Sequence, residues 1–218
     1  MSNSTSLAAK AGKPAAAKAA KGSLREDLKR FTSEKLLQAA MQCFAEQGFR
    51  ATTVERIVEV AGTTAPTFYR HYPSKNDLLP PLRTHLSGIV ANTLAKLDGE
   101  RCRSRAGVRA WLDDYLAMWN QVHRLCDAYW EAAALDDDFA AEALPETMQA
   151  MGVLKLYFAS LPEAEQARVG LRLALMLLFI DRLALLASVA KSKQAAEQMV
   201  DEFADMLWTT VFEPNARG

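Results

Sequence analysis

Apolar residues recur along this chain at intervals of three and four, the spacing of one face of an α-helix. Leu24, Leu28, Phe31, Leu36, Leu37, Ala40, Met41 and Phe44 keep that rhythm up to a stop at Gly48. Ser23-Leu24-Arg25-Glu26 reads as the capping box that opens this helix. A second box, Thr52-Thr53-Val54-Glu55, opens a short helix with Val54, Ile57, Val58 and Ala61 inward and Gly62 as its left-handed C-cap. Thr64 can cap a third helix, with Pro66 in its first turn and an end near Tyr72-Pro73. Ser74-Lys75-Asn76-Asp77 starts a fourth, which Pro80-Pro81 should kink before it continues to about Leu97.

The period persists beyond Gly99. Val108, Trp111, Leu112, Tyr115, Trp119 and Val122 predict one helix, and His123–Leu135 a further one. Segments around Phe139–Leu144 and Glu146–Ala159 are less regular and split by Pro145. Ser160-Leu161-Pro162-Glu163 starts a long helix to about Ala190. Lys193–Phe212 forms the last, carrying Ala196, Met199, Phe203, Met206 and Leu207. No alternating strand pattern of useful length occurs, so the predicted fold class is all-α.

Composition removes several alternatives. Leu171–Ala190 is nominally long enough to span a bilayer, but Asp181 and Arg182 interrupt its middle and Arg172 its start. Each such charge would cost roughly 2.5–3.5 kcal/mol in a membrane, so a buried helix is expected and no membrane partner. The first twenty residues lack a secretory apolar stretch. Cys43, Cys102 and Cys126 show neither pairing nor metal-ligand spacing, which fits a reducing cytoplasm. Of the 218 residues, Lys plus Arg equal Asp plus Glu at 26 each. That balance hides an asymmetry: through Lys75 there are 12 basic against 6 acidic residues, and afterwards 14 against 20. A basic end on an acidic body suggests that one part meets a polyanion. Residues 1–22, rich in Ala and Lys without an acid, read as a disordered arm, either following phosphates or an inert solubilising tail. Residues 23–75 read as a basic three-helix unit and 76–218 as a larger helical domain.

Helix 52–61, the turn at Gly62 and helix 64–72 have helix-turn-helix spacing. With Phe68 inward, Thr63, Pro66, Thr67 and Arg70 face outward and Tyr69 lies on the flank. This short, acid-free face can enter a major groove. Phe44-Ala45-Glu46-Gln47-Gly48-Phe49, Thr52-Thr53-Val54, Ile57, Ala61-Gly62, Thr67-Phe68-Tyr69, His71-Tyr72 and Ser74-Lys75-Asn76-Asp77-Leu78 together resemble the DNA-binding domain of the TetR family of bacterial repressors. The resemblance covers roughly residues 33–79; Thr63-Thr64 and Pro66 depart from the family's commoner residues. It implies phosphate contacts from Thr53, Tyr69, His71 and Lys75, and base-edge contacts from Thr64, Ala65, Pro66, Thr67 and Arg70. His71 has an equal alternative as the partner of a backbone carbonyl. The all-helical remainder is similar in architecture to the family's ligand-binding and dimerisation domain.

Trp111, Tyr115, Trp119, Tyr129 and Trp130 crowd twenty residues, with Met118 and His123 among them. Each suits a packing core; together they suit an apolar effector pocket whose other wall is Met148, Met151, Tyr157 and Phe158. His123 and Cys126 lie three apart beside Asp127, too weak a set for a metal, and Asp136-Asp137-Asp138 reads as a solvated turn. Leu173–Ile180 is apolar all round, which predicts burial by its own domain and by a second subunit through Leu175, Leu178, Phe203 and Met206. The alternative is the central helix of a monomeric bundle. Phosphate-loop, nucleophile-elbow and paired-histidine motifs are missing, so neither an enzyme nor a cofactor is expected. The resulting expectation is a cytoplasmic homodimeric regulator that binds a double-stranded DNA operator and a small-molecule effector. A helical scaffold or adaptor is the alternative.

Overall fold

The computed structural model describes residues 13–134, 145 and 147–213, and every element among them is helical. The elements are α1 (Lys13–Gln47), α2 (Val54–Val60), α3 (Ala65–His71), a 3-10 turn (Lys75–Leu78), α4 (Leu79–Ala95) and α5 (Arg105–Ala133). Then come α6 (Lys155–Ala159), α7 (Glu163–Ser188) and α8 (Lys193–Leu207), which ends in a π turn at Trp208–Phe212. None of the described helices is long and apolar enough to cross a membrane. Residues 1–12 and Asp136-Asp137-Asp138 lie outside the described residues.

Three boundaries differ from the sequence pattern. Helix α1 begins at Lys13, ten residues before the expected cap at Ser23, so part of the stretch read as a disordered arm is helical. Ala and Lys are strong helix formers, and a helix once nucleated extends through them without tertiary support. Leu24, Leu28 and Phe31 are accordingly exposed; α1 is anchored further along, where the Ser33 hydroxyl lies 2.8 Å from Tyr72 Oη. Pro80 and Pro81 do not kink a helix but open α4, in the first turn, where a missing N–H has no intrahelical acceptor to lose. Helix α5 is continuous through His123. Its buried face changes phase there, from Val108, Trp111, Tyr115 and Trp119 to Leu125, Ala128, Tyr129 and Ala132.

That phase change follows from two apolar clusters. One gathers Leu36, Ala40, Phe44, Ile57 and Phe68 of α1–α3 with Leu78, Leu82, Leu125 and Tyr129. The other gathers Leu94, Trp111, Leu112 and Leu154 with Leu173, Ile180, Ala204 and Phe212. Helices α4 and α5 thread both. Trp111 is wholly buried in the second cluster and its indole Nε1 donates to Thr93 O at 2.8 Å. Sequence reasoning assigned it to an effector pocket; a donor already used and a ring without exposure make it core. Trp111→Phe, which removes this hydrogen bond and some volume, should lower unfolding free energy by about 1–3 kcal/mol in urea denaturation.

Candidate DNA-reading helix and effector cavity

The turn between α2 and α3 is built from backbone bonds. Gly62 sits at φ +58°, its N–H bonds Glu59 O at 3.0 Å, and the Thr63 N–H bonds Val58 O at 2.9 Å. This Schellman closure requires the left-handed conformation that glycine adopts without Cβ strain. The cap of α2 is Thr53, whose hydroxyl accepts from Arg56 N at 3.2 Å, one residue later than the expected Thr52. Thr52 is instead buried and donates to Gly48 O at 2.7 Å.

On α3, Phe68 is fully buried while Thr64, Pro66, Tyr69 and Arg70 are exposed. Ala65, Thr67 and His71 are half-buried. The Thr64 and Thr67 hydroxyls lie 3.2 Å apart. Arg70 forms no ion pair among the described residues, so its guanidinium faces outward without a partner. Burial, with help from Arg70 and Lys29, holds the His71 ring below the usual histidine range and therefore neutral at pH 7. No carbonyl partners it among the described residues.

Lys75 is placed differently from the phosphate contact the resemblance implied. Its Nζ donates to Phe49 O at 2.6 Å and Thr52 O at 2.7 Å and stands 4.4 Å from the centroid of the Phe49 ring. Burial lowers its pKa, and Glu131 partly offsets this. Glu131, on α5, holds the other side of the same turn: Oε2 accepts from Phe49 N at 2.8 Å and Arg50 N at 3.4 Å, and Oε1 pairs with Arg50 Nε at 3.5 Å. Gly48 lies at φ +83°, and a Cβ there would come within 3.1 Å of Glu131 Oε2. Sequence reasoning missed Glu131, and no local signal marks it, because its partners lie 82 and 81 residues away.

Between the two clusters lies a cavity of about 160 Å³ walled by α4, α5 and α7. Leu86 and Val90 line it from α4, and Leu178 and Asp181 from α7. From α5 come Tyr115, Cys126, Tyr129 and Trp130. Trp119 lines only an adjoining groove, which shares Cys126, Trp130, Leu178 and Asp181 with the cavity. His123 stacks on Trp119 at 4.8 Å, and Met118 packs against the core beside them. Met148, Met151 and Phe158 gather in a separate depression with Gln166 and Gly170, so they are not the opposite wall of the cavity. Tyr157 is buried and donates to Val211 O at 2.8 Å. The unforeseen member is Asp181, which accepts from Tyr115 Oη at 3.0 Å. Its signal was the charge interrupting an apolar run, which sequence reasoning weighed only against a membrane. No group of three or more His, Cys, Asp or Glu side chains that could hold a metal occurs among the described residues.

Residues 36–80 match the family described as bacterial regulatory proteins, tetR family. The matched stretch holds α2, the Gly62 turn and α3. It is 33% identical over 94 residues to the HTH-type transcriptional activator FasR of Mycolicibacterium smegmatis, covering 41% of this chain and 42% of FasR. It is 32% identical over 103 residues to the HTH-type transcriptional repressor KstR2 of Rhodococcus jostii, covering 47% of each. The chain thus spans less than half the length of the curated relatives it matches. Its fold is that of a TetR-family regulator from Pectobacterium atrosepticum, with a TM-score of 0.57 at 16% identity over 85% of this chain and 96% of that one.

The four residues singled out for subunit contact are not equivalent. Leu175 and Met206 are exposed at 44% and 58%, Leu178 leans into the cavity, and Phe203 is half-buried against the core. Phe179, 65% exposed, joins Leu171, Leu175 and Leu186 in an outward apolar stripe on α7. For Lys75, replacement by Met should leave two carbonyls of the 48–53 turn without a donor and reduce stability by about 1–3 kcal/mol in thermal or chemical denaturation. An unchanged midpoint would return Lys75 to the phosphate role.

Proposed function

We propose that the protein is a cytoplasmic transcriptional repressor that binds a pseudo-palindromic DNA operator as a homodimer and is released by a small, hydrophobic or aromatic effector. The observation that carries the reading is the exposed, acid-free face of α3, held by the Gly62 turn with Arg70 unpaired upon it. Arg70 is suited to a bidentate contact with guanine O6 and N7, and Pro66 and Thr67 to a thymine methyl. Thr53, Thr64, Ala65, Tyr69 and His71 complete the contact surface, with hydroxyls and backbone N–H groups directed at phosphates. A seven-residue helix contacts too few base pairs alone, and two-fold symmetry doubles them. Half-sites would then lie about 34–36 Å apart or a small multiple of that.

Effector coupling has a structural route that supports the reading. Tyr129 and Trp130 line the cavity, and the next residue on α5, Glu131, holds the 48–53 turn that precedes α2. Helix α4 lines the cavity through Leu86 and Val90 and begins directly after the Lys75–Leu78 turn. A ligand that moves either helix acts on the seat of the DNA-reading unit. Coupling of about 1–3 kcal/mol corresponds to a roughly 5- to 150-fold change in operator affinity. Among relatives, one is named an activator and another a repressor; the opposition of effector and DNA on a shared hinge favours release.

Gel shifts on the DNA flanking the coding sequence test this directly, with a retarded band that competes poorly with random DNA as the expected result. Arg70→Ala should weaken cognate binding by about 1–3 kcal/mol and random DNA least. Leu175→Glu should give a monomer in light scattering, with operator affinity sharply reduced; a stoichiometric monomer in the unaltered protein would refute the dimer.

A further inference from the structure

Asp181 is a carboxylate in the wrong place for packing. It sits on α7 among Leu177, Leu178, Tyr115, Cys126 and Trp130, where an unpaired charge is costly and a leucine would fill the space without penalty. One oxygen accepts from Tyr115 Oη at 3.0 Å. No hydrogen bond or ion pair to its other oxygen is made among the described residues, so the carboxylate presents an unused acceptor to the cavity. Among the described residues the other charged side chain lining that cavity, Arg83, is itself partnered. Two aromatic side chains, Tyr129 and Trp130, border the same space. Their rings can face a cation.

We propose that the effector of this cavity is a small aryl-alkyl amine, its ring held by Tyr129 and Trp130 and its protonated nitrogen paired with Asp181. The proposal rests on the effector-cavity reading above and specifies the ligand's chemistry. Size sets the aromatic part: apolar cavities of about 150 Å³ accommodate a single benzene ring, and this one measures about 160 Å³. Charge sets the amine. An ammonium donating to the free oxygen would form a charge-assisted bond and compensate the desolvation of Asp181. In the empty protein that desolvation raises the Asp181 pKa, against the Tyr115 hydrogen bond and the neighbouring Arg182, while Asp127 adds to the rise. The Cys126 thiol beside it is pushed up to about 12 by burial and by Asp181, so it stays neutral and offers no competing charge.

The test titrates the full chain with three probes of one size, 2-phenylethylamine, 2-phenylethanol and phenylacetate, followed by tryptophan fluorescence. The amine should bind roughly 10- to 100-fold more tightly than the alcohol, with phenylacetate weakest. Asp181→Asn keeps an acceptor for Tyr115 and so preserves the packing; in it, amine and alcohol should bind alike. Tyr115→Phe keeps the carboxylate and should keep the preference. Equal binding of amine and alcohol to the unaltered protein, tightest binding of phenylacetate, no binding of the amine at millimolar concentration, or a preference that survives Asp181→Asn would each overturn the proposal. A gel shift on the same samples separates this from the regulator reading: absent DNA binding with the probe ranking intact refutes the regulator alone, and intact DNA binding with no amine preference refutes the amine alone.

Discussion

The turn at residues 48–53 is the constraint on which the rest of the molecule depends. It lies between α1 and α2, where a chain reversal exposes backbone groups that no helix satisfies. Two charged side chains from distant segments supply the partners: Lys75 donates to the carbonyls of Phe49 and Thr52, and Glu131 accepts from the amides of Phe49 and Arg50. Each ion is costly to bury alone, and each is compensated by the backbone dipoles and by the field of the other. Glycine at 48 leaves Glu131 the space to approach. The position of α2, and through the Gly62 turn that of α3, is therefore set partly by a residue on α5.

That dependence gives α4 and α5 their importance. Both run through the two apolar clusters, so neither cluster can shift as a unit without bending a continuous helix or sliding it past its neighbours. Packed cores resist gradual deformation and switch between discrete arrangements. A cavity placed where the two clusters meet is where a ligand has most leverage over such a switch.

The local grammar of the chain was legible. Helix spacing, the glycine at 62 and the inward Phe68 all follow from interactions within a few residues, and the all-α class follows from their sum; only the cap of α2 fell one residue later, at Thr53. Non-local features were not. The continuity of α5 through His123 could not be read from a pattern that changes phase, because the change records which cluster each half faces. Trp111 and Tyr115 look alike in sequence, four residues apart on one helix. One spends its polar atom on Thr93 O and is core, while the other reaches Asp181 in the cavity. Lys75 stands where the resemblance implies a phosphate contact, yet its donors point at carbonyls, which only the fold of the turn reveals.

Helix α7 shows why an apolar run need not mean a single kind of burial. Leu173, Ala174, Ile180 and Ala184 face the core, and Leu177, Leu178 and Asp181 face the cavity. Leu171, Leu175, Phe179 and Leu186 face outward. Three faces divided among three environments account for apolar residues all round the helix, and a membrane is not needed to explain them. The same division has an energetic consequence. Leu178 and Phe179 are adjacent residues, one lining the cavity and the other on the outward stripe. A rotation of α7 that tightens the cavity on a ligand must turn the outward stripe by the same angle, since a helix moves its faces together. Under such a rotation, anything packed on that stripe would be linked to cavity occupancy, and by reciprocity its packing would bias the cavity.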